Sequence, residues 1–227
     1  MQWDVIADNF PLYLSGAWVT VQLLLVSLAC GILIAVPLGV LRALGGPASR
    51  LIWLYTYAFR GTPMLVQLFL IYYGLGQFEA VRASFAWEWL QNAWFCAVLA
   101  FVLNTAAYTT EIVAGAIKAL PAGEIEAAKA YGMDRLTLLR RIVLPQALRR
   151  ALPAYGNEAI FMLHGTSLAM LVTIADLTGV AKRLYATHYT PFEAYLTAGA
   201  FYLGMTLGMV ALFRWAEERW LKPLLPR

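Results

Sequence analysis

Five long apolar segments limit what this chain can fold into. A helix that spans a bilayer needs about 20 mostly apolar residues, and each segment is close to that length. The predicted spans cover residues 17–41, 51–75, 93–117, 154–175 and 195–215. Because lipid offers the backbone no hydrogen-bond partner, such segments must satisfy their own N–H and C=O groups as helices. The sequence therefore predicts an all-α integral membrane protein with five transmembrane helices and a single domain over residues 1–227.

The composition supports this class and argues against two others. Hydrophobic residues make up 61% of the 227 residues and charged residues only 13%, well above and below the usual values for soluble domains. The net charge of +4 follows membrane topology rather than one soluble face, so we expect no nucleic-acid partner. Cys30 and Cys96 lie inside apolar segments, where we expect small packing residues rather than a disulfide.

The distribution of Lys and Arg predicts the orientation. One set of connections and the tail hold most of them: Arg42, Arg50, Lys118, Lys129, Arg135, Arg140, Arg141, Arg149, Arg150, Arg214, Arg219, Lys222 and Arg227. The opposite set holds Arg82, Lys182 and Arg183, and Arg60 is ambiguous. Since cytoplasmic loops carry the excess of basic residues, we expect the N-terminus outside and the C-terminus in the cytoplasm.

The outer connections are rich in aromatic residues. Residues 77–91 carry Phe85, Trp87 and Trp89 among charged side chains, and residues 3–18 have a similar character. Aromatic side chains concentrate where the hydrocarbon core meets water. We therefore expect a helix over 77–91 that lies at the outer membrane interface.

The large cytoplasmic connection, residues 118–150, has a helical pattern of its own. Glu124 and Glu126 follow Pro121 and favour a helix start through its dipole. The alanines that come next are Ala127, Ala128 and Ala130, whose small side chains let another surface approach closely. Gly132 is typical of a helix C-cap, and Asp134 of the N-cap of a second helix.

The second predicted helix of this connection is amphipathic. Leu136, Leu139, Ile142 and Val143 fall on one face, and Pro145 is expected to interrupt the helix. The pattern predicts a helix, a tight turn and a second helix. By pattern alone, a solvated amphipathic connector is favoured over a docking surface.

The same residues resemble a known signature. Glu126-Ala-Ala, Gly132 after three residues, and Ile142-Val-Leu-Pro145 after nine more match the Glu-Ala-Ala loop of bacterial ABC importer permeases. In that family the loop is a coupling helix that docks into a groove on the ATPase subunit. The resemblance implies that the docking residues here are Glu126, Ala127, Ala128, Gly132, Met133 and Asp134.

Further motifs resemble the polar amino-acid branch of that family. They are Arg60-Gly-Thr-Pro63 with the residues up to Gln67, Tyr108-Thr-Thr-Glu111-Ile, and Leu152-Pro-Ala-Tyr-Gly-Asn-Glu158. The likeness extends to the M-type subunits of histidine and arginine/ornithine permeases. It implies structural or gating roles for Arg60, Thr62, Pro63 and Glu111. Many relatives carry a lysine near position 164, where this chain has His164, so no lysine role is carried over.

Polar groups inside the predicted spans are candidates for a substrate path. A charged side chain at the centre of a spanning helix costs about 2.5–3.5 kcal/mol on insertion scales, so it calls for a functional explanation. The candidates are Glu158, Asn157, Gln67, Thr166, Ser167, His164 and Asn104. Glu158 could pair with the cationic amine of an amino acid.

Structural roles stay open beside these functional ones. Glu158 could instead pair with Arg60 or Arg150, and Glu111 could form a salt bridge that anchors the loop. Asn104, Thr166 and Ser167 could hold helices together. His164 could be a packed neutral histidine.

The resemblance implies a permease subunit of an ATP-driven importer in the bacterial inner membrane, for basic amino acids such as arginine, ornithine, histidine or lysine. The sequence has no G-x-x-x-x-G-K-[ST] loop and no metal-ligand cluster, so ATP and Mg²⁺ are expected on a separate ATPase. Expected partners are two ATPase subunits, a second permease subunit that is a paralogue, a periplasmic solute-binding protein, membrane lipid and the amino acid. A proton-coupled transporter using Glu158 and His164, or a non-transporting scaffold, are the alternatives.

Overall fold

The computed structural model describes residues 3–221, and these residues are almost entirely helical. The helices are α1 (Trp3–Asp8), α2 (Phe10–Leu44), α3 (Gly46–Gly61), α4 (Met64–Phe69), α5 (Glu79–Arg82), α6 (Trp87–Leu90), α7 (Ala93–Lys118), α8 (Ala122–Ala130), α9 (Arg135–Leu138), α10 (Leu144–Gly165), α11 (Leu177–His188) and α12 (Pro191–Trp220). Shorter helical turns extend some of them: Leu70–Gly74 (π) and Leu75–Gln77 (3₁₀) after α4, Leu139–Val143 (π) between α9 and α10, and Thr166–Val172 (3₁₀) after α10. Lys222 and Arg227 of the predicted cytoplasmic tail lie outside the described residues.

Three helices of residues 3–221 are each long and apolar enough to cross a membrane: α2, α7 and α12, with 35, 26 and 30 residues. They contain the predicted spans at 17–41, 93–117 and 195–215. A fourth candidate is the bent pair formed by the helical stretch from Arg135 to Val172 and α11, which meet at 47°. The structure is thus an all-helical protein with three or four such spans by length and composition.

The predicted span at 51–75 is broken in its middle. α3 ends at Gly61 and α4 begins at Met64, with Thr62 in an extended conformation at φ −117° and ψ 145°. Pro63 explains the break, since it lacks an N–H and disfavours the helical region for the residue before it. Two helical segments therefore meet at Thr62–Pro63.

Pro145 does not interrupt its helix, contrary to the prediction. The chain is helical from Arg135 to Gly165, with a π turn at Leu139–Val143 immediately before Pro145. Pro145 lies in the first turn of α10, where its missing N–H costs little because the wider turn has already changed the hydrogen-bond pattern. One continuous helical rod therefore joins the 118–150 connection to the span at 154–175.

The core depends on a close approach of α2 to α7. A Cβ built on Gly39 would lie 2.7 Å from Val113 Cγ1 and 3.1 Å from the Thr110 carbonyl oxygen, and one on Gly31 would overlap Thr105. Small residues at helix crossings allow backbones to approach in this way, as is common in membranes. Leu23 of α2 and Phe101 of α7 also belong to one buried apolar cluster, together with Leu163 and Val172.

The sequence predicts a connection with Lys182 and Arg183 between the spans at 154–175 and 195–215, but much of it forms helix α11. Asp176 caps its start by accepting hydrogen bonds from the Thr178 and Gly179 amides at 3.2 and 3.0 Å. Its buried face consists of Leu177, Val180, Ala181 and Leu184, which pack against α2 and α12. The helical spacing of these four apolar residues among twelve was the sequence pattern that could have predicted α11.

The outer connection 77–91 differs from the single helix that was expected. It forms the one-turn helices α5 and α6, with a bend at residues 83–86 between them. Phe85 and Trp89 are exposed, at 85% and 55%, whereas Trp87 is half-buried. Both cysteines are free thiols; Cys96 is buried, as predicted for a packing residue, whereas Cys30 is exposed.

Candidate functional site

The turn of the 118–150 connection is a Schellman motif, and this explains Gly132. The Met133 amide donates to the Ala128 carbonyl at 3.2 Å, and the Gly132 amide donates to the Lys129 carbonyl at 2.9 Å. This pattern requires a left-handed residue after the helix, and Gly132 has φ 76°. The predicted C-cap is confirmed.

Asp134 caps α9, as predicted. Its carboxylate accepts hydrogen bonds from the Leu136 and Thr137 amides at 3.1 and 3.2 Å. Hydrogen bonds from the side chain and amide of Thr137, and from the Leu136 amide, lower the pKa of the Asp134 carboxyl. At neutral pH the carboxylate is therefore charged and holds the start of the second helix in a defined direction.

The two faces of α8 have different surroundings. Glu126, Ala127 and Ala130 are exposed on one face, as a docking surface requires, whereas Ala128 is 4% exposed on the other. Ala128 packs inside this chain, so its methyl group does not fit the predicted docking role. The reason is the helical period of 3.6, which points Ala128 away from its neighbour Ala127.

The second helix of the connection also differs from its predicted pattern. Leu136 is 53% exposed, although it was assigned to the apolar face, and Leu138 is buried instead. The residues of the turn Tyr131–Met133 and Leu136 are thus all exposed, and they are called the turn surface here. Tyr131, 88% exposed, is the residue of this surface that was missed.

A cavity of about 600 Å³ lies beside the break between α3 and α4. Residues from α3, α4, α7 and α10 line it: Arg60, Gly61, Thr62, Pro63, Met64, Asn104, Tyr108, Glu158, Phe161 and Met162. The structure therefore brings Glu158 and Asn104 together with Arg60, Thr62 and Pro63, from distant parts of the sequence. Tyr108 and Phe161 were not predicted as lining residues, although Tyr108 begins one of the quoted motifs.

Glu158 places a carboxylate in the wall of this cavity. The residue is 7% exposed, and its carboxyl group lies near the Thr105 side chain and in the electrostatic field of Arg60. The Arg60 guanidinium lies 5.3 Å from the centre of the Tyr108 ring, a cation–π distance. The cavity lining thus contains a carboxyl group and a guanidinium, which can bind groups of opposite charge.

Gln67 lies behind the cavity wall rather than in it. Its side-chain nitrogen donates to the Phe59 carbonyl at 2.7 Å, the Thr62 carbonyl at 3.1 Å and the Thr62 hydroxyl at 2.8 Å. Its side-chain oxygen accepts a hydrogen bond from Asn104 at 2.9 Å. Gln67 therefore satisfies the carbonyls that the break at Thr62–Pro63 leaves without helical partners.

The other candidates on α10 and its 3₁₀ extension do not line this cavity. Asn157 lines a separate pocket beside α12. The Thr166 and Ser167 hydroxyls donate to the carbonyls of Leu163 and His164, one turn earlier in the chain, at 2.7 Å.

His164 contacts α12 rather than the cavity. Its Nε2 lies 3.1 Å from the Thr206 hydroxyl, and its ring meets the Tyr202 ring edge-to-face. These contacts join α10 to α12. They fit the packing role that the sequence left open for His164.

Glu111 forms an ion pair within the bundle. Its Oε1 lies 2.9 Å from Nε of Arg42 and accepts a hydrogen bond from the Thr56 hydroxyl at 2.7 Å. The salt bridge therefore ties α7 to α2 and α3 rather than to the cytoplasmic connection. Within residues 3–221 no cluster of His, Cys, Asp and Glu could hold a metal ion.

The family and the proteins that this chain resembles are all components of transport systems. Residues 27–222 match the family described as "Binding-protein-dependent transport system inner membrane component". The chain is 47% identical to the octopine transport system permease protein OccM of Rhizobium radiobacter, over 93% of this chain and 89% of that protein. It is 46% identical to the histidine/lysine/arginine/ornithine transport system permease protein HisM of Escherichia coli K12, over 93% and 90%.

Solved structures have the same architecture. The crystal structure of an amino acid ABC transporter with histidines superposes with a TM-score of 0.83 at 33% identity, covering 94% of this chain and 96% of that one. An inward-facing MetNI methionine ABC transporter superposes with a TM-score of 0.72 at 21% identity, over 96% and 98%. The second likeness, at this low identity, concerns the fold alone.

Proposed function

The chain belongs to the family of binding-protein-dependent transport system inner membrane components, and we propose that it imports basic amino acids as the permease subunit of an ATP-driven complex. The observation that carries the substrate class is the cavity whose lining includes both the Glu158 carboxyl group and the Arg60 guanidinium. A basic amino acid has a cationic side chain for the former and a carboxylate for the latter. The names of the relatives HisM and OccM support the same class.

The topology proposed for this function has five crossings. α2, α7 and α12 each cross once, α3 and α4 together form the second crossing, and α10 with its 3₁₀ extension forms the fourth. The N-terminus is outside and the C-terminus in the cytoplasm, because the basic residues concentrate on the side of α8 and α9. The whole chain acts as one permease domain in the bacterial inner membrane.

We propose that the ATPase drives transport through a contact with α8. The exposed Glu126, Ala127, Gly132 and Met133 would contact an ATPase subunit, and Asp134 would keep the turn in place. Because the helical rod from Arg135 runs without a break to Gly165, displacement of the docking surface would move α10 and with it Glu158. Access to the cavity would thereby alternate between the two sides of the membrane.

The assembly needs partners that supply what this chain lacks. Two ATPase subunits would bind ATP and Mg²⁺, since no phosphate-binding motif occurs in the sequence. A paralogous permease subunit would close the open side of the cavity, where Phe161 is 72% exposed. A periplasmic solute-binding protein would deliver the amino acid to the outer face.

Uptake by the reconstituted complex tests this function. Proteoliposomes that contain the permease pair, the ATPase and the binding protein should accumulate labelled arginine, ornithine or histidine only with internal ATP. Uptake should persist when a protonophore collapses the proton gradient at constant ATP. Uptake that follows the proton gradient and ignores ATP would instead establish a proton-coupled transporter.

A further inference from the structure

A groove of about 370 Å³ lies between the end of α2 and the two helices of the 118–150 connection. Apolar side chains, including Val40, Leu44 and Ile117, form its body. Lys129 from α8 and Arg135 from α9 also line it, and both are exposed. The groove therefore combines an apolar floor with two cations at its edge.

The groove lies where a lipid-facing helix ends. α2 exposes large apolar side chains along its length, with Leu33 at 74%, Leu41 at 44% and Leu44 at 75%. After Leu44 the helix ends at Gly45, and the charged connection lies beside it. Under the proposed topology, this is the depth of the headgroups of the cytoplasmic leaflet.

The two cations have no internal counter-charge. Within residues 3–221 neither Lys129 nor Arg135 has a carboxylate at ion-pair distance, and no acidic residue lines the groove. Nearby carboxylates have other roles, since Glu124 is hydrogen-bonded to Gln146 and Asp134 caps α9. An anion is the complement that this edge requires.

The groove is on the side of α8 opposite the exposed docking face. Ile125 and Lys129 line the groove, whereas Glu126, Ala127 and Ala130 are exposed on the other face. An occupant would thus contact α8 and α9 from behind and leave the docking face uncovered.

We propose that an anionic glycerophospholipid of the cytoplasmic leaflet occupies this groove. Its phosphate lies between Lys129 and Arg135, and one acyl chain lies along Val40, Leu44 and Ile117. Basic pockets on the cytoplasmic side of membrane helices bind such headgroups, and their attraction adds to that of the buried chain. The lipid braces the connection against the end of α2, so that a push on α8 moves α10 instead of bending the turn.

The inference rests on the proposed function, and an experiment on the assembled complex separates the two. The complex is placed in nanodiscs of phosphatidylcholine with increasing phosphatidylglycerol. Bound lipid is measured by native mass spectrometry, and coupling as ATP hydrolysis stimulated by the arginine-loaded binding protein. We expect stimulation to rise with phosphatidylglycerol in the wild type. Lys129→Gln with Arg135→Gln should weaken retention of this lipid by about 30-fold and abolish the rise.

A matched control removes the same charge elsewhere on this connection. Arg140→Gln with Arg141→Gln changes two exposed residues that do not line the groove, and it should keep the lipid dependence. Inorganic phosphate should not replace the lipid. Equal lipid retention in both double variants, or loss of ATPase binding by the Lys129/Arg135 variant in every lipid, would overturn the proposal. Stimulated hydrolysis by the wild type that is equal in all lipids would also overturn it while leaving the proposed function intact.

Discussion

The side-chain amides of Gln67 and Asn104 are joined by a 2.9 Å hydrogen bond between α4 and α7. Gln67 is 7% exposed, and its remaining hydrogen bonds go to the carbonyls of Phe59 and Thr62 and the Thr62 hydroxyl. Through this contact the broken helix pair is attached to α7, the most buried of the three long helices. Asn104 reaches the cavity, whereas Gln67 holds the break that forms the cavity wall.

Gln67→Leu tests this division of roles. The change leaves two carbonyl groups and the Asn104 amide without their partner, so thermal unfolding in detergent should show a loss of about 2–5 kcal/mol. Uptake of every substrate should fall together with the amount of folded complex. Gln77→Leu, at an exposed position, should change neither. A selective rise in KM for one amino acid with normal stability would contradict the structural role.

Glu158→Gln tests the substrate contact. Because a hydrogen bond to a charged group contributes about 1.5–3 kcal/mol, KM for arginine should rise by about 10- to 100-fold. Complex assembly and basal ATP hydrolysis should be retained, since glutamine has nearly the same shape. Glu79→Gln on the exposed α5 is the matched control for loss of a carboxylate. Unchanged uptake kinetics in an intact complex would remove Glu158 from the substrate site.

Substitutions of Gly132 distinguish a requirement for its backbone conformation from a requirement for close contact with a partner. At φ 76° a β-branched side chain is strained, so Gly132→Val should disrupt the Schellman turn and abolish stimulated ATP hydrolysis and ATPase binding. Gly132→Asn should retain much of both, because asparagine tolerates the left-handed region. Pull-down of the ATPase measures the outcome. If asparagine is as harmful as valine, close contact at this position is the cause and the backbone explanation fails.

The Arg42–Glu111 salt bridge predicts non-additive stability. Each side chain is about one-fifth exposed, so breaking the pair should cost about 1–3 kcal/mol, more than a surface pair. Arg42→Met and Glu111→Gln should each lower the unfolding temperature, and the double variant should lose less than their sum. Arg50→Met, an exposed neighbour, is the control. Strictly additive effects would show that the two charges do not interact.

Gly39→Leu tests the close approach of α2 and α7. A larger side chain there must displace Val113 or the Thr110 carbonyl, and overpacking of this kind costs about 1–3 kcal/mol or more. We expect loss of folded protein from the membrane, measured by fluorescence-detected size exclusion. Gly199→Ala, where an added Cβ meets nothing within 4 Å, should be tolerated in the same assay.

Local patterns predicted what depends on neighbouring residues. Long apolar runs predicted α2, α7 and α12, because a helix in lipid is determined by length and apolarity alone. Gly132 and Asp134 predicted their caps correctly, since a C-cap glycine and an N-cap carboxylate act within one turn. The short motifs of the sequence, such as Glu126-Ala-Ala with Gly132, also indicated the family, which the comparisons confirmed.

The buried face of each helix and the helices it packs against could not be predicted in this way, because they depend on which helix lies opposite. Ala128 points inward and Leu136 outward, and α11 is a helix where a connection was expected, because α2 and α12 bury its apolar stripe. Sequence by itself determined that this chain crosses the membrane as helices and carries a charged helical turn. Only the tertiary structure brought Glu158, Arg60 and Asn104 to one cavity, because a contact across a hundred residues is decided by packing and not by spacing.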